Sequence, residues 1–238
     1  MTSNHQPPAG FQSEVFEGDG AAVYDDRFAA MAPVMDAMHL LMRLQLSDLP
    51  DTASILCAGA GTGAELLSLA LAFPGWRFTA EDISASMLGY CKQKAEAAGV
   101  ADRCRYHHGP IDTVESDAPF DAATAILVSQ FLPSRDDRVG FYREIGARLR
   151  PGGRLVTADL STSLGTPVGD AMLALWKRVF LHCGAEPEQA ELFISTFGEQ
   201  VAITPPDEIN AILADAGFSD AVEFYSAGLI RVRIATKA

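Results

Sequence analysis

The chain has 238 residues, 48% of them hydrophobic, so it is long enough to bury one continuous core. It carries 18 Lys and Arg against 31 Asp and Glu, and the formal charge of −13 repels polyanions, which argues against nucleic acid as a partner. No run of about 18 apolar residues is present, and Met1 to Gly20 lacks the basic start and apolar core of a signal peptide. We therefore expect a cytoplasmic protein without a membrane partner.

The cysteines argue for the same compartment. They are widely spaced, contain no C-x-x-C pair and fall on otherwise apolar segments: Cys57, Cys91, Cys104 and Cys183. We interpret them as reduced core thiols and predict no metal site.

The first clear helix begins near Pro33, a residue that suits a first helical turn. Met31, Met35, Met38 and Met42 recur at spacings of four, three and four, so they share one helical face. Core packing is the favoured interpretation of this methionine stripe, ahead of contact with a ligand.

Strand and helix patterns alternate from Ala53 to Ala158, which predicts a mostly parallel sheet covered by helices on both faces. Helices are predicted from the Ser84 cap to Ala98 and from Asp136 to Leu149. The predicted strands are Ser54–Ala58, Arg77–Glu81, Arg103–His107, Ala122–Leu127 and Arg154–Ala158.

The pattern changes after the fifth strand. Gly169–Cys183 and Glu188–Phe197 both look helical with no strand between them, so an inserted helical cap is expected at about 165–200. A helix then follows Thr204, and Ala221–Tyr225 with Leu229–Ala235 form a hairpin. The predicted fold is α/β, a Rossmann-like doubly wound seven-stranded sheet with an antiparallel last strand and a helical cap.

A glycine-rich turn joins the first strand to the next helix. Glycines at positions 59, 61 and 63 let the backbone approach a ligand, and the N–H groups of the helix start can face it. Nineteen residues after Gly63, Asp82 offers a carboxylate where a ribose would lie, whereas Glu81 is expected to point elsewhere. The G-x-G-x-x-A form also fits a dinucleotide-binding turn, so a nicotinamide oxidoreductase is a rival at this point.

Four motifs together resemble one family over roughly Pro33 to Ala238. They are the glycine turn, the Asp82-Ile83-Ser84-x-x-Met87-Leu88 run, Phe120-Asp121-Ala122, and Leu149-Arg150-Pro151-Gly152-Gly153-Arg154-Leu155. This set resembles the class I S-adenosylmethionine-dependent methyltransferases. The predicted terminal hairpin fits that family's reversed last strand, which disfavours the nicotinamide alternative.

The resemblance implies S-adenosylmethionine as the cofactor. Asp82 would bind the ribose hydroxyls, and Leu127, Val128 and Ser129 would line the sulfonium end. The implied cofactor site comprises Gly59, Ala60, Gly61, Asp82, Ile83, Met87, Pro110, Ile111 and Val128.

Two positions depart from the family pattern. Cys57 and Pro110 stand where acidic residues are common. The amino group of the methionine part is then expected to meet backbone carbonyls or Glu65, and the adenine amine a carbonyl or Asp112.

Within the family, the run from Val128 to Pro133 looks most like the tRNA uridine-5-oxyacetic acid methyltransferase branch, which uses carboxy-S-adenosylmethionine. That branch needs a cation for the extra carboxylate. The position aligned with its arginine holds Ile212, which cannot pair a carboxylate, so ordinary S-adenosylmethionine is expected.

The acceptor side is less defined. Gln130 follows the fourth strand and is a candidate for orienting an acceptor, and Tyr24 is a candidate for closing the site. Trp176 with Phe180, Phe193 and Phe197 predicts either an apolar pocket or packing of the cap.

No catalytic base is assigned. His107 and His108 are interpreted as strand-end packing and surface, and His182 as an exposed cap residue that could reach an acceptor. The basic residues Arg135, Arg138, Arg143, Arg148 and Arg150 alternate with acids and are interpreted as a solvated helix face.

We therefore predict a methyltransferase acting on a small molecule, with residues 1–32 as a flexible N-terminal segment and cofactor lid and residues 33–238 as the catalytic domain. A tRNA-modifying enzyme and a catalytically silent S-adenosylmethionine-binding protein are the alternatives, and a homodimer is left open.

Overall fold

The computed structural model describes residues 16–132 and 134–238, apart from the side chains of Asp19 and Asp220. The first fifteen residues of the predicted N-terminal segment, with His5 among them, lie outside the described residues, as does Pro133 of the tRNA-branch motif.

Helices and strands alternate through the middle of the chain and end in a hairpin. The strands are β1 (Ser54–Ala58), β2 (Arg77–Asp82), β3 (Cys104–His108), β4 (Phe120–Ile126), β5 (Leu149–Leu160), β6 (Phe218–Ala227) and β7 (Ile230–Lys237). The α-helices are α1 (Gly18–Ala22), α2 (Tyr24–Phe28), α3 (Ala32–Leu46), α4 (Ala64–Ala72), α5 (Ala85–Ala97), α6 (Arg135–Arg148), α7 (Pro167–His182), α8 (Pro187–Ser195) and α9 (Pro206–Asp215).

The strands form one seven-stranded sheet in the order β3-β2-β1-β4-β5-β7-β6. β1 to β5 pair in parallel, whereas β7 is antiparallel to both β5 and β6. The predicted Rossmann-like sheet with an antiparallel last strand is therefore confirmed. Because β1 and β4 are neighbours but not consecutive, the chain reverses its winding there and leaves a crevice at their carboxyl ends.

β5 begins earlier than predicted. Leu149 pairs with Phe120, the register then shifts, and the regular ladder resumes where Arg154 pairs with Ala122. The Pro151-Gly152-Gly153 turn thus lies within an irregular strand start and does not separate the helix from the strand.

The methionine stripe serves two purposes. Met38 and Met42 are completely buried in the core on one face of the sheet, as predicted. Met31 and Met35, nearer the start of α3, are partly buried, pack against the same core and also line a cavity. The prediction of core packing therefore holds for all four methionines, and the first two contact the cavity as well.

The thiols of Cys57 and Cys91 are buried, those of Cys104 and Cys183 are partly buried, and all four are free. None of the described helices combines the length and the apolar character that a bilayer-spanning segment requires.

Candidate active site

A cavity of about 890 Å³ lies at the carboxyl ends of β1, β2 and β4. The helices α2, α3 and α4 and the inserted helices α7 and α8 contribute to its walls. Every cofactor residue predicted from the sequence lines it: Gly59, Ala60, Gly61, Asp82, Ile83, Met87, Pro110, Ile111 and Val128. The predicted acceptor residues Tyr24, Gln130 and Trp176 line the same cavity.

The glycine turn is shaped by close contacts on one side and open space on the other. Gly59 has a φ of +61°, and a Cβ there would lie 2.5 Å from a methyl group of Val128. Gly61 also lines the cavity, but a Cβ on it would meet no atom within 4 Å. The turn therefore packs against Val128 and exposes backbone to the cavity, which suits close approach of a ligand.

Asp82, at the end of β2, holds this turn in place. Its carboxylate accepts hydrogen bonds from the backbone N–H of Gly61 at 2.8 Å and of Ser84 at 2.8 Å. Burial raises the pKa of Asp82, and these two N–H donors oppose the shift. Asp82 thus joins the glycine turn to the start of α5 and presents its carboxylate at the cavity wall.

Glu81 does not point elsewhere, which corrects the sequence-based expectation. It lines the cavity, and its Oε2 accepts a hydrogen bond from the Gly59 N–H at 3.1 Å. Burial and the neighbouring Asp82 raise the pKa of Glu81 to about 8. Both acidic residues at the end of β2 therefore face the glycine turn.

Glu65, in the first turn of α4, completes an acidic wall. It is buried and lines the cavity, and burial together with Asp82 raises its pKa to about 7. Three carboxyl groups with raised pKa values at one end of a cavity favour a cationic ligand, because a cation would restore their ordinary ionisation.

The structure bears differently on the two residues that were predicted to bind the amino groups of the donor, Glu65 and Asp112. Cys57 is buried and does not line the cavity, whereas Glu65, the predicted substitute for the missing acidic residue, does. Asp112, one of the two predicted partners for an adenine amine, is exposed and does not contribute to the cavity wall, so the structure favours the other alternative, a backbone carbonyl.

An apolar slot adjoins Asp82. Ile83 is 47% exposed at the cavity wall, whereas Met87 and Ile111 are buried. Ser84 caps α5 by accepting a hydrogen bond from the Met87 N–H at 3.1 Å, which fixes where the methionine enters the slot. Ile83, Met87, Pro110 and Ile111 together offer the apolar surfaces that a flat heteroaromatic ring requires.

The N-terminal segment crosses the cavity and reaches both walls. The Ser84 hydroxyl donates to the Phe16 carbonyl at 2.7 Å, and the Thr62 hydroxyl donates to Asp25 at 2.7 Å. The ring of Phe16 meets that of Phe131 edge-on, with centroids 5.1 Å apart.

Tyr24 lies in the same crossing segment. Burial, followed by the charges of Asp25 and Glu65, raises the pKa of Tyr24 to about 12, so its phenol is neutral at physiological pH. Its ring lies 5.9 Å from that of Phe16, measured between centroids, so the two aromatic side chains cover the acidic wall together.

The other end of the cavity is apolar and aromatic. The ring of Phe180 lies 5.0 Å from that of Phe193 and 6.4 Å from that of Phe197. A Cβ on Gly228 would lie 2.9 Å from the ring of Trp176, so this ring packs against the β6–β7 turn as well as lining the cavity. The cap aromatics therefore form a pocket wall and pack the cap at the same time.

The histidines singled out from the sequence lie away from the cavity. His107 is hydrogen-bonded to the Thr113 hydroxyl at 2.8 Å and His108 to the Ile83 carbonyl at 3.2 Å. His182 is exposed at the end of α7 and does not line the cavity. These positions agree with the structural interpretation of all three residues.

A buried polar network supports the loop that carries Gln130. Arg138 pairs with Asp159 at 2.9 Å, and both side chains are at most 2% exposed. Ser129 hydrogen-bonds to Asp159 and accepts from Arg138 at 3.0 Å. Tyr142 and Thr157 extend the network through hydroxyl contacts at 2.7 Å.

This network corrects two expectations. Arg138 does not lie on a solvated helix face, because it turns inward to neutralise Asp159. Ser129 does not line the sulfonium end of the cavity but is committed to the network, whereas Leu127 and Val128 do line the cavity. Ile212 lies in the hydrophobic core beneath α9, also away from the cavity.

Sequence reasoning missed the contribution of α3. Met35, His39 and Arg43 recur every four residues and line the cavity together with Asp36. Within the part of the chain that the structure describes, the Nε2 atom of His39 is buried without a hydrogen-bond partner. The spacing of four that relates Met31 to Met35 continues to His39 and Arg43, so this signal is present in the sequence, although the methionine pattern alone does not reveal it.

Comparisons with known proteins agree with this geometry. Residues 55–153 match the model of a methyltransferase domain family. The release factor glutamine methyltransferase of Chlorobaculum tepidum is 36% identical over 97 residues, which are 34% of this chain and 33% of that protein. The ubiquinone/menaquinone biosynthesis C-methyltransferase UbiE of Escherichia coli is 26% identical over 213 residues, 84% of this chain and 83% of the relative.

The fold has matching solved structures. Human N-acetylserotonin methyltransferase in complex with S-adenosylmethionine superposes with a TM-score of 0.66 at 15% identity, covering 98% of this chain and 60% of that one. The chain thus spans only a third of the release factor enzyme and three fifths of the human one.

The chain contains a class I methyltransferase domain, which confirms the family recognised in the sequence. Domains of this class use S-adenosylmethionine as the methyl donor. The tRNA-modifying and catalytically silent alternatives find no support among these relatives.

Proposed function

We propose that the protein transfers the methyl group of S-adenosylmethionine to a small, partly apolar acceptor held beneath the inserted helices. The observation that supports this most directly is one cavity with two chemically different ends. Glycine backbone and three carboxyl groups, two of them buried, form one end, and Trp176 with the cap phenylalanines forms the other.

The residues present fit the proposed donor. S-adenosylmethionine carries a positive sulfonium and an ammonium group, and it supplies the methyl group from the sulfonium. Asp82 is suited to bind the ribose hydroxyls, Glu65 to pair with the ammonium group, and the slot of Ile83 and Met87 to hold adenine. The open space beside Gly61 supports close passage of the donor over the turn.

The N-terminal segment is proposed as the lid of the donor site. Three contacts support this proposal. Phe16 and Asp25 of the segment are hydrogen-bonded to Ser84 and Thr62, and the ring of Phe16 contacts that of Phe131. A lid that excludes water strengthens the electrostatic interactions beneath it and positions the reacting groups.

Gln130 is proposed to orient the acceptor. Its side chain is buried at the cavity wall, and its Oε1 has no hydrogen-bond partner among the described residues. Its backbone is fixed by the Ala202 N–H, which donates to the Gln130 carbonyl at 2.7 Å. Since the residue lines the cavity, its amide is suited to meet a polar group of the acceptor.

Three further proposals concern the partner, the cellular compartment and the oligomeric state. The acidic charge favours a small molecule over a nucleic acid as the partner. The four free thiols fit a reducing cytoplasm. A homodimer remains a prediction from the sequence.

The donor assignment is tested by calorimetric titration with S-adenosylmethionine, S-adenosylhomocysteine and NAD. We expect the first two to bind and NAD not to bind. Asp82→Asn should weaken donor binding by at least about tenfold, since each hydrogen bond to a charged group contributes about 1.5–3 kcal/mol. Asp117→Asn, at a highly exposed carboxylate, is the matched control and should bind as the wild type does. Binding of NAD alone, or of none of the three, would overturn the proposal.

A further inference from the structure

The cavity runs along one edge of the sheet, from β2 to β7. Asp82 at the end of β2 lines one end of it, and Leu160 at the end of β5 and Ile230 at the start of β7 line the other. Leu160 pairs directly with Ile230, because β7 is antiparallel and begins at the edge where β5 ends. Neighbouring strands lie about 4.8 Å apart, so the four spacings from β2 to β7 give a length of about 19 Å.

Under the proposed function, the donor occupies the part of this length over β2 and β1. The family resemblance places its sulfonium end at Leu127 and Val128, which follow β4 directly and line the cavity. Two strand spacings, about 10 Å, then separate β4 from β7. This remaining length is available to the acceptor and suits a body of about two fused six-membered rings.

The lining of the β7 end is apolar. Among the described residues, the cavity-lining side chains beyond residue 132 carry no charge, and their only polar group is the indole N–H of Trp176. Ser161, which follows β5, is paired within the protein: its hydroxyl donates to the Thr204 carbonyl at 2.6 Å and its N–H to the Leu229 carbonyl at 2.8 Å. A strongly polar group brought to this end would therefore lose its water without gaining enough partners.

Trp176 forms the wall at the β7 end. Its side chain is 7% exposed and lines the cavity, and its ring lies against Gly228 in the turn between β6 and β7. A Cβ on Gly228 would lie only 2.9 Å from this ring, so the turn leaves no free space behind it. The packing of Trp176 on Gly228 therefore fixes where the cavity ends.

We propose that the acceptor is an elongated molecule with its methyl-accepting atom at one end and an uncharged apolar body at the other, and that Trp176, seated on Gly228, limits the length of this body. The inference rests on the proposed methyltransferase function and adds the shape, polarity and orientation of the acceptor. The reacting end lies beside Gln130, and the body extends past Leu160 toward Ile230. The rings of the cap phenylalanines cover its side.

The polarity of the β7 end is tested with two probes of nearly the same shape, 4-isopropylbenzyl alcohol and 4-(hydroxymethyl)benzamide. Each is titrated calorimetrically into protein saturated with S-adenosylhomocysteine. We expect the isopropyl probe to bind at least about tenfold more tightly, because the amide loses its water without finding partners for all its hydrogen-bonding groups. Equal affinities, or tighter binding of the amide, would overturn the apolar assignment.

The length of the body is tested with naphthalene-2-methanol and anthracene-2-methanol, which differ by one fused ring. The wild type should bind the naphthalene probe at least about tenfold more tightly, since the third ring would overlap Trp176. Trp176→Leu, which removes the end wall, should bring this ratio to about one or invert it. Val168→Ala, at a residue 68% exposed on the same helix, is the control and should keep the wild-type ratio. A wild-type ratio in Trp176→Leu would refute the role of Trp176.

Gly228→Ala moves the wall in the opposite direction. The added methyl group displaces the Trp176 ring into the cavity, so we expect naphthalene-2-methanol to bind about tenfold more weakly and benzyl alcohol to change by less than about threefold. Gly152→Ala adds a methyl group at a similar φ of +71° with no atom within 4 Å, so both affinities should stay at wild-type values. Equal losses for the two probes in Gly228→Ala would contradict a shortened cavity.

Binding of S-adenosylhomocysteine separates this inference from the proposed function. The variants at Trp176 and Gly228 should bind it as the wild type does, because both residues lie at the β7 end. If the wild type binds S-adenosylhomocysteine but none of the probes, or shows none of the expected ratios, the acceptor assignment is wrong while the donor assignment stands. A wild type that does not bind S-adenosylhomocysteine would instead contradict the proposed function.

Discussion

The two ends of the cavity are built in different ways. The donor end consists of backbone at strand ends: the turn after β1, the end of β2 and the loop after β4, all fixed by the parallel ladder. The acceptor end consists mainly of side chains on helices that lie outside the sheet, namely α7 and α8. One end is therefore set by the geometry of the fold, and the other by the choice of residues on helices that a family is free to vary.

The largest effect is expected beneath the loop that carries Gln130, at the buried pair of Arg138 and Asp159. Arg138→Met leaves the Asp159 carboxylate buried without its cation, and such a change costs about 3–5 kcal/mol of folding free energy. Urea unfolding measures it. The neighbouring Arg135→Met breaks only exposed ion pairs to Glu208 and Asp215 and should cost about 1 kcal/mol or less. Similar losses for the two variants would mean that the network does not support the Gln130 loop.

The acidic wall predicts how stability depends on pH in the protein without a ligand. Folding raises the pKa of Glu65 from 4.5 to about 7 and that of Glu81 from 4.5 to about 8. Between pH 4.5 and pH 8 the folded protein therefore binds more protons than the unfolded chain, so the free energy of unfolding falls as pH rises through this window.

Glu65→Gln tests this dependence, because glutamine does not titrate. At pH 8 the variant should be more stable than the wild type by up to about 3 kcal/mol, and its stability should vary less between pH 5 and pH 8 in urea unfolding. Exposed Glu191→Gln is the control and should leave the pH profile unchanged. A parallel offset of the Glu65→Gln profile at every pH would contradict the ionisation argument.

The next largest loss of stability is expected in the glycine turn. Gly59→Ala places a methyl group 2.5 Å from Val128 at a φ of +61°, so strain and overpacking together should destabilise the protein by about 2–3 kcal/mol. Donor binding, measured by calorimetry, should be lost with it. Gly89→Ala, within α5 and with no atom within 4 Å of the added methyl group, should instead stabilise the helix by about 0.5–1 kcal/mol.

Much of the fold was predictable because its signals are local. The strand from Ser54 to Ala58 was placed at its observed bounds, and Ser84 and Gly99 mark the limits of α5 through a side-chain cap and a positive φ of 70°. Arg138 was misplaced for the opposite reason. Its partner Asp159 is 21 residues away on another element, so only the folded chain reveals the pairing.

In the candidate site too, the residues in local motifs were predictable and the residues placed by long-range packing were not. Gly59, Asp82 and Met87 belong to motifs whose spacing reflects the turn and the strand ends, and all of them line the cavity. His39 belongs to no motif, and it lines the cavity only because of where the folded chain places α3. A periodic pattern locates a helix face, but it does not state whether that face meets the core or a cavity.

The smallest effect is expected at two serines that cap helices, of which only one also contacts the N-terminal segment. Ser84 and Ser134 are both N-cap residues whose side chains accept a hydrogen bond from the N–H three residues on, at 3.1 and 3.4 Å. Each Ser→Ala variant should therefore lose about 1 kcal/mol of stability or less.

Only Ser84 also donates to the Phe16 carbonyl. If the N-terminal segment is a lid, Ser84→Ala should speed dissociation of S-adenosylhomocysteine several-fold in stopped-flow measurements, and Ser134→Ala should leave that rate unchanged. Equal dissociation rates in the two variants would show that the contact between Ser84 and Phe16 does not hold the ligand in the site. A rate change in Ser84→Ala alone would make the donor end depend on an element outside the sheet, as the acceptor end already does.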